Sequence, residues 1–254
     1  MDECLVVIFN VDETTASLSK LCYKKLGFKN VHILSGADGF SDKFLRFASI
    51  SAESDFEFFI RSDSDRLPFD GMKELAVKFK KQSSNIDNME GYGFDYFMNK
   101  FRGATPQIYS RRSLVKLDND NSLIANVPKP ENYFGKKAKL VFSSQRIFTN
   151  LHDFSQSPSK ACNAFVNRMI RDGLKHYRQA HLDSLPEHYK RAFAHACDLM
   201  RTGKLAAKTN MNYWDFGFLD DGFKDEVSVD LEKSYHQHKK IYDSLVQRFK
   251  NEYR

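Results

Sequence analysis

Residues 56–65 read Phe-Glu-Phe-Phe-Ile-Arg-Ser-Asp-Ser-Asp, an apolar run that ends in two aspartates one residue apart. A short apolar run followed by a polar turn predicts a buried β-strand. In an open α/β sheet, ligands bind beyond the carboxyl ends of the strands, which is where Asp63 and Asp65 would lie. Their oxygens suit Mg²⁺ or Mn²⁺, and such an ion would also hold a diphosphate. The alternative is an ordinary polar turn, closed by Leu67 and Pro68.

The preceding residues predict an alternation of strands and helices. Residues 4–9 and 31–34 are apolar runs rich in β-branched side chains, which is typical of strands. Residues 15–26 and 42–52 place apolar side chains at helical spacing, and Gly27 follows the first of these helices. Strands that alternate with helices predict right-handed crossovers and a parallel sheet covered on both faces.

Polar side chains follow each of these three strands. They are Asn10, Asp12 and Glu13 after the first strand, Asp38 after the second, and Asp63 and Asp65 after the third. Because parallel strands end at the same edge of a sheet, we expect these side chains to converge there. The sequence therefore predicts a binding site rich in carboxylates at that edge.

These elements resemble the glycosyltransferases of the GT-A fold, particularly the family-2-like group. The resemblance lies in residues 6–10, in the Ser-Gly-Ala-Asp-Gly-Phe-Ser-Asp run at 35–42, and in the strand with its Asp-x-Asp motif at 58–65. It covers the N-terminal quarter of the chain. It implies an α/β fold of the GT-A type, Rossmann-like, with a mostly parallel sheet flanked by helices. It also implies a metal-dependent transferase that takes a nucleotide-diphosphate sugar as its donor.

The resemblance implies roles for individual residues at this edge. Asp65, helped by Asp63, would bind Mn²⁺ or Mg²⁺ against the donor diphosphate, and Asp63 would also contact the ribose. Asp38 would contact the nucleotide base or the ribose, with Asn10 and Asp12 near it. The acceptor would be a carbohydrate or a glycolipid, in the synthesis of a surface polysaccharide or glycan.

A second match to the same family lies at residues 139–153, which end in His152 and Asp153. Some GT-A transferases place a histidine after a late strand, where it completes the metal shell or contacts the diphosphate, and others use a late carboxylate as the base. The resemblance thus implies His152 as a metal ligand and Asp153 as the base of an inverting reaction. Asp95 is the second choice of base, and Glu90 is a further alternative.

Structural roles compete with these assignments. A lone histidine is often buried or exposed without any ligand, and Asp153 or Ser155 could cap a helix that begins near residues 157–158. Residues 7–15 also resemble the first motif of the haloacid-dehalogenase-like phosphatases, but Asn10 replaces the nucleophilic aspartate that those enzymes need. A nucleotidyltransferase is disfavoured because no glycine-rich phosphate loop follows the first strand.

The rest of the chain predicts further strands and then helices. Residues 69–81 predict an amphipathic helix, residues 107–114 a strand that enters a basic turn, and residues 136–149 one or two strands. From residue 157 onward the apolar spacing is helical, ending in a charged amphipathic helix at 231–253. By analogy with GT-A enzymes, the part after the metal motif would build the acceptor side.

These patterns predict two regions, a nucleotide-sugar-binding and catalytic core at residues 1–155 and a helical C-terminal extension at 156–254. A catalytically silent domain of the same fold, which binds a sugar or serves in assembly through the extension, is the alternative function. Metal-dependent binding of a nucleotide diphosphate would favour the enzyme.

The composition predicts a globular protein with anionic ligands. The 254 residues carry a net charge of +6, which an anionic donor and an anionic membrane-bound acceptor would both account for. The basic residues are spread along the chain and no nucleic-acid module is recognisable, so nucleic acid is not expected as a partner. No apolar stretch reaches the roughly 18 residues of a membrane span. We therefore expect a cytoplasmic protein, compatible with peripheral association at the inner face of a membrane, and four free thiols.

Overall fold

The computed structural model describes residues 1–10, 13–36, 40–119, 141–172, 177, 179–202 and 230–253. The chain divides into two compact units. Unit 1 contains Met1–Phe94, Phe101–His152 and Asp230–Arg254, and unit 2 contains Asp95–Lys100 and Asp153–Val229. The predicted boundary after residue 155 stays a prediction, but the C-terminal residues group with the N-terminal ones in unit 1.

The N-terminal part of unit 1 has the predicted alternation. Its elements are β1 (Cys4–Phe9), α1 (Ala16–Lys25), β2 (Asn30–Leu34), α2 (Phe40–Glu53) and β3 (Phe58–Asp63). Gly27 has a φ of 88°, a conformation that glycine adopts without strain, and it ends α1 as the sequence predicted. The predicted α/β class, a sheet flanked by helices with a further helix at the C-terminus, is confirmed.

The three N-terminal strands are parallel and end together. β1 lies between β2 and β3, and Phe9 is in register with both Leu34 and Asp63. The predicted common edge of the sheet therefore exists. Because β1 is covered by a strand on each side and by helices on both faces, it is almost entirely buried, which explains its unbroken apolar sequence.

The remaining elements of unit 1 before the final helix are β4 (Arg66–Pro68), α3 (Asp70–Gln82), β5 (Asn88–Asp95), β6 (Lys100–Ser110), α4 (Arg111–Asn119) and β7 (Phe142–His152). Their strands complete a seven-stranded sheet in the order β2-β1-β3-β6-β5-β7-β4. The pairs β3 with β6 and β4 with β7 are antiparallel. The sheet thus adds antiparallel strands to the parallel part formed by β2, β1 and β3.

One alternative interpretation and one local prediction are wrong. Leu67 and Pro68 do not close a turn but belong to β4, because they pair with the end of β7, and the turn itself is Ser64 and Asp65. The basic turn expected after β6 is helix α4. It forms because Leu114 and Leu117, at helical spacing, bury against the aromatic cluster of α2.

The final helix, α8 (Leu231–Glu252), is anchored to the sheet of unit 1. The side chain of Asp230 caps its first turn by accepting from the Lys233 N–H at 3.0 Å. The Tyr242 hydroxyl donates to the Phe148 carbonyl at 2.6 Å and accepts from the Gly71 N–H at 3.2 Å. One buried phenol thereby ties together α8, β7 and the start of α3.

Unit 2 is mainly helical in its described residues. Its helices are α5 (Pro158–Asp172), α6 (Gln179–Ser184) and α7 (Glu187–Arg201). Phe97, Phe165 and Tyr189 belong to its apolar core. The predicted helix start near 157–158 is confirmed. The Ser157 hydroxyl accepts from the Lys160 N–H at 3.4 Å, so this hydroxyl occupies the capping position that the sequence offered to Asp153 or Ser155.

The described helices include none that is long and apolar enough to cross a membrane. The four cysteines are free thiols, as predicted, and Cys4, Cys22 and Cys162 are buried.

The stability of the protein should depend on pH through His238 in α8. Burial lowers the pKa of this histidine below its usual value near 6.5, although its Nδ1–H donates to the Ser234 carbonyl at 2.7 Å. Because the unfolded chain then binds the proton more readily, this stability is complete above pH 6.5 and is lost as the pH falls below it. Urea unfolding from pH 7.5 to pH 5.5 should show this loss. It should be smaller in His238→Gln, whereas the exposed control His236→Gln should behave like wild type; equal pH dependence in all three would contradict the assignment.

Candidate metal and donor site

Asn10 ties the ends of β1 and β2 together at the parallel edge. Its backbone N–H donates to the Leu34 carbonyl at 3.0 Å, and its side-chain amide donates to the Ser35 hydroxyl at 3.4 Å. The amide oxygen accepts from the Glu13 N–H at 3.0 Å. Asn10 thus shapes the loop after β1, and its predicted contact with the nucleotide stays a prediction. Asp12 and Asp38 were also predicted to lie at this edge of the sheet, and both are outside the described residues.

The turn between β3 and β4 is held against the segment after β1. The Ser64 N–H donates to the Phe9 carbonyl at 3.0 Å, and the Ser64 carbonyl accepts from the Thr15 hydroxyl at 2.9 Å. The Ser64 hydroxyl in turn donates to the Glu13 carboxylate. These bonds fix the backbone on which Asp63 and Asp65 stand, so the two carboxylates are carried by a well-supported turn.

Asp63 stands at the edge of the sheet beside a buried arginine. Its side chain is 32% exposed, and its Oδ1 lies 3.6 Å from Nη1 of Arg61, which is 2% exposed. The Arg61 guanidinium also lies over the Phe9 ring, 5.6 Å from its centre. Arg61 was not among the residues predicted for this site. The signal was a charged residue inside an otherwise apolar strand, where a charge needs a partner.

Asp65 contacts His152, as expected for two residues of one site. Its Oδ2 lies 3.1 Å from Nε2 of His152, and the two side chains are 16% and 6% exposed. The antiparallel pairing of β4 with β7 places Arg66 opposite His152, which brings the end of β7 beside the turn. Arg102, on β6, donates to Nδ1 of His152 at 3.3 Å. The contact of Arg102 with His152 was not predicted from the sequence.

The side chains at this turn are of the types that bind a divalent ion. Asp65 and His152 lie close enough together to belong to one group of potential metal ligands. The carboxylates of Asp65 and Asp63 are of the hard oxygen type that Mn²⁺ and Mg²⁺ prefer. The guanidinium of Arg66 lies 3.8 Å from Oδ1 of Asp65, longer than a hydrogen bond. Guanidinium groups beside both carboxylates add positive charge that would attract a diphosphate, whereas the carboxylates attract the cation.

Asp95 and Asp153, the two predicted bases, share one arginine in unit 2. Arg168 donates from Nε to Oδ2 of Asp95 at 3.1 Å and from Nη2 to Oδ2 of Asp153, and all three residues are buried. Asp95 also accepts from the Met98 N–H at 3.1 Å. Arg168 thus compensates the charge of both buried carboxylates. Their predicted catalytic role stays a prediction.

Glu90, the further candidate base, lies in a different environment on the sheet of unit 1. It accepts from the Gln107 amide at 3.2 Å and from the Ser144 hydroxyl at 3.1 Å, and the Gln107 amide oxygen accepts from the Tyr109 hydroxyl at 2.6 Å. These partners are neutral. This polar network extends from β6 across β5 to β7. Gln107, its member on β6, is the cross-strand neighbour of Arg61 on β3, the strand that carries Asp63.

Comparison with known proteins gives likenesses of fold at low sequence identity. No family model matches the chain, and no curated protein does. A solved glycosyltransferase involved in the glycosylation of the major capsid of PBCV-1 is similar over 60% of this chain and 94% of its own, with 12% identity and a TM-score of 0.43. A197 from STIV is similar over 57% and 82%, with 14% identity and a TM-score of 0.44.

A further match is a CMP:2-keto-3-deoxy-manno-octonic acid synthetase complexed with CTP. It is similar over 67% of this chain and 99% of its own, with 10% identity and a TM-score of 0.41. The matched structures thus include both glycosyl and nucleotidyl transferases. At such identities and TM-scores the likeness does not identify a function, which has to be argued from the site.

Proposed function

We propose that the protein is a metal-dependent glycosyltransferase of the GT-A type, which moves a sugar from a nucleotide-diphosphate donor to a carbohydrate or glycolipid acceptor. The observation that carries the proposal is Asp65 on a braced turn at the carboxyl edge of the parallel strands, with His152 against it and Asp63 at the end of β3 just before the turn. This edge is where α/β sheets bind nucleotides. The acceptor and the pathway, such as surface polysaccharide synthesis, rest on the resemblance alone.

In this proposal Asp65, helped by Asp63, holds Mn²⁺ or Mg²⁺ against the donor diphosphate. A bound ion of this kind offsets the charge that develops on the leaving phosphate. Arg61 and Arg66 add positive charge beside the two carboxylates and favour the same anionic group. Asn10 keeps the loop after β1 in place, and Asp12 and Asp38 are proposed to contact the nucleoside.

The base of an inverting reaction remains open between three carboxylates. Asp153 is the first choice by resemblance and Asp95 the second, and both carry the Arg168 pairing. Glu90 has neutral hydrogen-bond partners on the sheet, which favours it as a group that accepts a proton from an acceptor hydroxyl. A retaining reaction would need no such base.

Substitution of Asp153 separates its structural role from a catalytic one. Asp153→Asn weakens a buried ion pair, and we expect the free energy of unfolding to fall by about 3 kcal/mol. If Asp153 is the base, turnover should also fall by roughly 10²–10⁴ while donor binding stays near normal. Urea unfolding and turnover are measured on the same sample. Full turnover in a destabilised Asp153→Asn protein, together with a large loss in Glu90→Gln, would move the base to Glu90.

A screen of nucleotide diphosphates and nucleotide sugars tests the proposed function. With Mn²⁺ present, a donor at about 100 times its Kd should stabilise the folded chain by roughly 2.7 kcal/mol, and the shift should vanish when the metal is chelated. Turnover is followed as release of nucleoside diphosphate. Release of pyrophosphate from a nucleoside triphosphate and a sugar phosphate would instead indicate nucleotidyl transfer. Absence of any nucleotide binding would indicate the silent module.

A further inference from the structure

The imidazole of His152 is held between an arginine and a carboxylate. Nδ1 lies 3.3 Å from Nη2 of Arg102, and Nε2 lies 3.1 Å from Oδ2 of Asp65. The ring is 6% exposed, so bulk water has little access to it. β6 supplies Arg102 and β7 supplies His152, and the sheet fixes both backbones.

The chemistry of Arg102 determines the tautomer of the ring. A guanidinium nitrogen can only donate a hydrogen bond, so Nδ1 of His152 must accept. In the neutral ring the proton is then on Nε2, from which it is donated to Asp65. In this tautomer the lone pair of Nδ1 faces Arg102, and Nε2 carries a proton. Neither nitrogen can offer a lone pair to a metal ion.

A histidine that binds a metal has the opposite arrangement. One nitrogen gives its lone pair to the ion, and the other donates its N–H to a carboxylate or a carbonyl. Arg102 cannot accept that N–H. To become a ligand, His152 would have to move its proton from Nε2 to Nδ1, and Arg102 would have to withdraw.

We infer that Arg102 and His152 are positioning residues. Arg102 fixes the tautomer of His152, and His152 holds the Asp65 carboxylate in the orientation in which Asp65 serves the ion, while His152 itself stays out of the metal shell. The tautomer follows from the contacts alone, whereas the purpose of the pair rests on the metal site proposed above. This inference departs from the ligand role that the resemblance implies for His152.

The tautomer can be measured without metal or substrate. Nitrogen-15 NMR of the metal-free protein, with labelled histidine, distinguishes Nδ1–H from Nε2–H, and the signal of His152 among the eight histidines is the one lost in His152→Gln. We expect a neutral ring protonated on Nε2. A ring protonated on Nδ1, or on both nitrogens, would overturn the inference whatever the metal does.

Electron spin-echo spectroscopy of bound Mn²⁺ reads the ligand set directly. We expect bound Mn²⁺ without nitrogen coupling from an imidazole in the wild type, and coupling that appears in Arg102→Ala, where Nδ1 can take the proton. Arg191→Ala, which removes an exposed arginine of α7, is the control and should resemble wild type. Nitrogen coupling in the wild type would overturn the inference and leave the proposed function standing.

Metal affinity separates positioning from a merely structural role. His152→Ala should weaken Mn²⁺ binding about 10–100-fold, as loss of an orienting partner does. His152→Gln keeps an N–H that can donate to Asp65, so its Mn²⁺ affinity should stay within a few-fold of wild type, and the exposed His236→Ala is the control. Equal losses in the two His152 variants would overturn the inference. No Mn²⁺ binding by the wild type would refute the proposed metal site and the purpose of the pair with it, whichever tautomer is found.

Discussion

Asp65→Asn should lose metal-dependent donor binding while the chain remains folded. The asparagine keeps the shape of the side chain and an oxygen that can accept from Nε2 of His152, but it removes the charge that holds a divalent cation. We expect Mn²⁺ affinity to fall by at least about 10²-fold, because even the loss of a residue that only orients a ligand costs 10–100-fold. Titration of Mn²⁺, followed by the electron paramagnetic resonance of the free ion, measures this directly.

Asp70→Asn is the matched control for this substitution. Asp70 begins α3, its side chain is 68% exposed, and its carboxylate pairs with Lys239 at 3.2 Å. The change removes the same charge a few residues away, so it tests whether general electrostatics account for the effect. Near-normal Mn²⁺ affinity and turnover in Asp65→Asn would remove the metal assignment. Asp65→Ala is less suitable, since the carboxylate proves largely buried and its complete removal would also disturb His152.

Gly71→Ala adds a single methyl group, and we expect it to destabilise the fold more than any other such addition in the described structure. A Cβ at this position would lie 1.8 Å from the Phe148 carbonyl oxygen and 3.0 Å from the Tyr242 hydroxyl. The first of these is a backbone atom of a paired strand, so it cannot move aside as a flexible side chain could. We expect the free energy of unfolding to fall by about 3–5 kcal/mol, at the upper end for overpacking. Urea denaturation, or loss of soluble protein, would report it.

Gly103→Ala is the corresponding control. A Cβ there would meet Oε1 of Glu90 at 3.4 Å, an ordinary van der Waals contact, and Gly103 is exposed on β6. This variant should unfold within about 1 kcal/mol of wild type. If Gly71→Ala were equally mild, then α3 and β7 would not approach as closely as described, and the contact of Tyr242 with both would also be in doubt.

The sequence predicted the parts of the fold that local pattern determines. The strands at residues 4–9 and 58–63 are apolar runs bounded by polar turns, and their positions were predicted to within a few residues. Pairing is a different matter, because it depends on partners far away in the chain. Leu67 and Pro68 form a strand only because β7 pairs with them, and nothing near residue 67 indicates that partner.

The candidate site shows the same division. Asp63 and Asp65 could be predicted because a motif and a strand end mark them, and His152 because it follows a late strand. Arg102 could not be predicted, since nothing in the sequence around it indicates the histidine that it contacts. Asp153 was selected through the resemblance and Asp95 as an alternative carboxylate. Their common partner Arg168 lies in a helix whose periodicity says nothing about buried ion pairs.

The two-residue turn between β3 and β4 also bears on how the protein folds. It joins two strands that have β6, β5 and β7 between them in the sheet, and Asp65 meets a histidine 87 residues later. Contacts of such long sequence separation form slowly, since the closure of a large loop must come before any gain from pairing. Asp63 and Asp65 therefore lie early in the chain, but Asp65 contacts His152 only when β7 has joined the sheet. A ligand that needs the completed site would bind only to chains in which β7 has already paired. Its binding would therefore report a late step of folding.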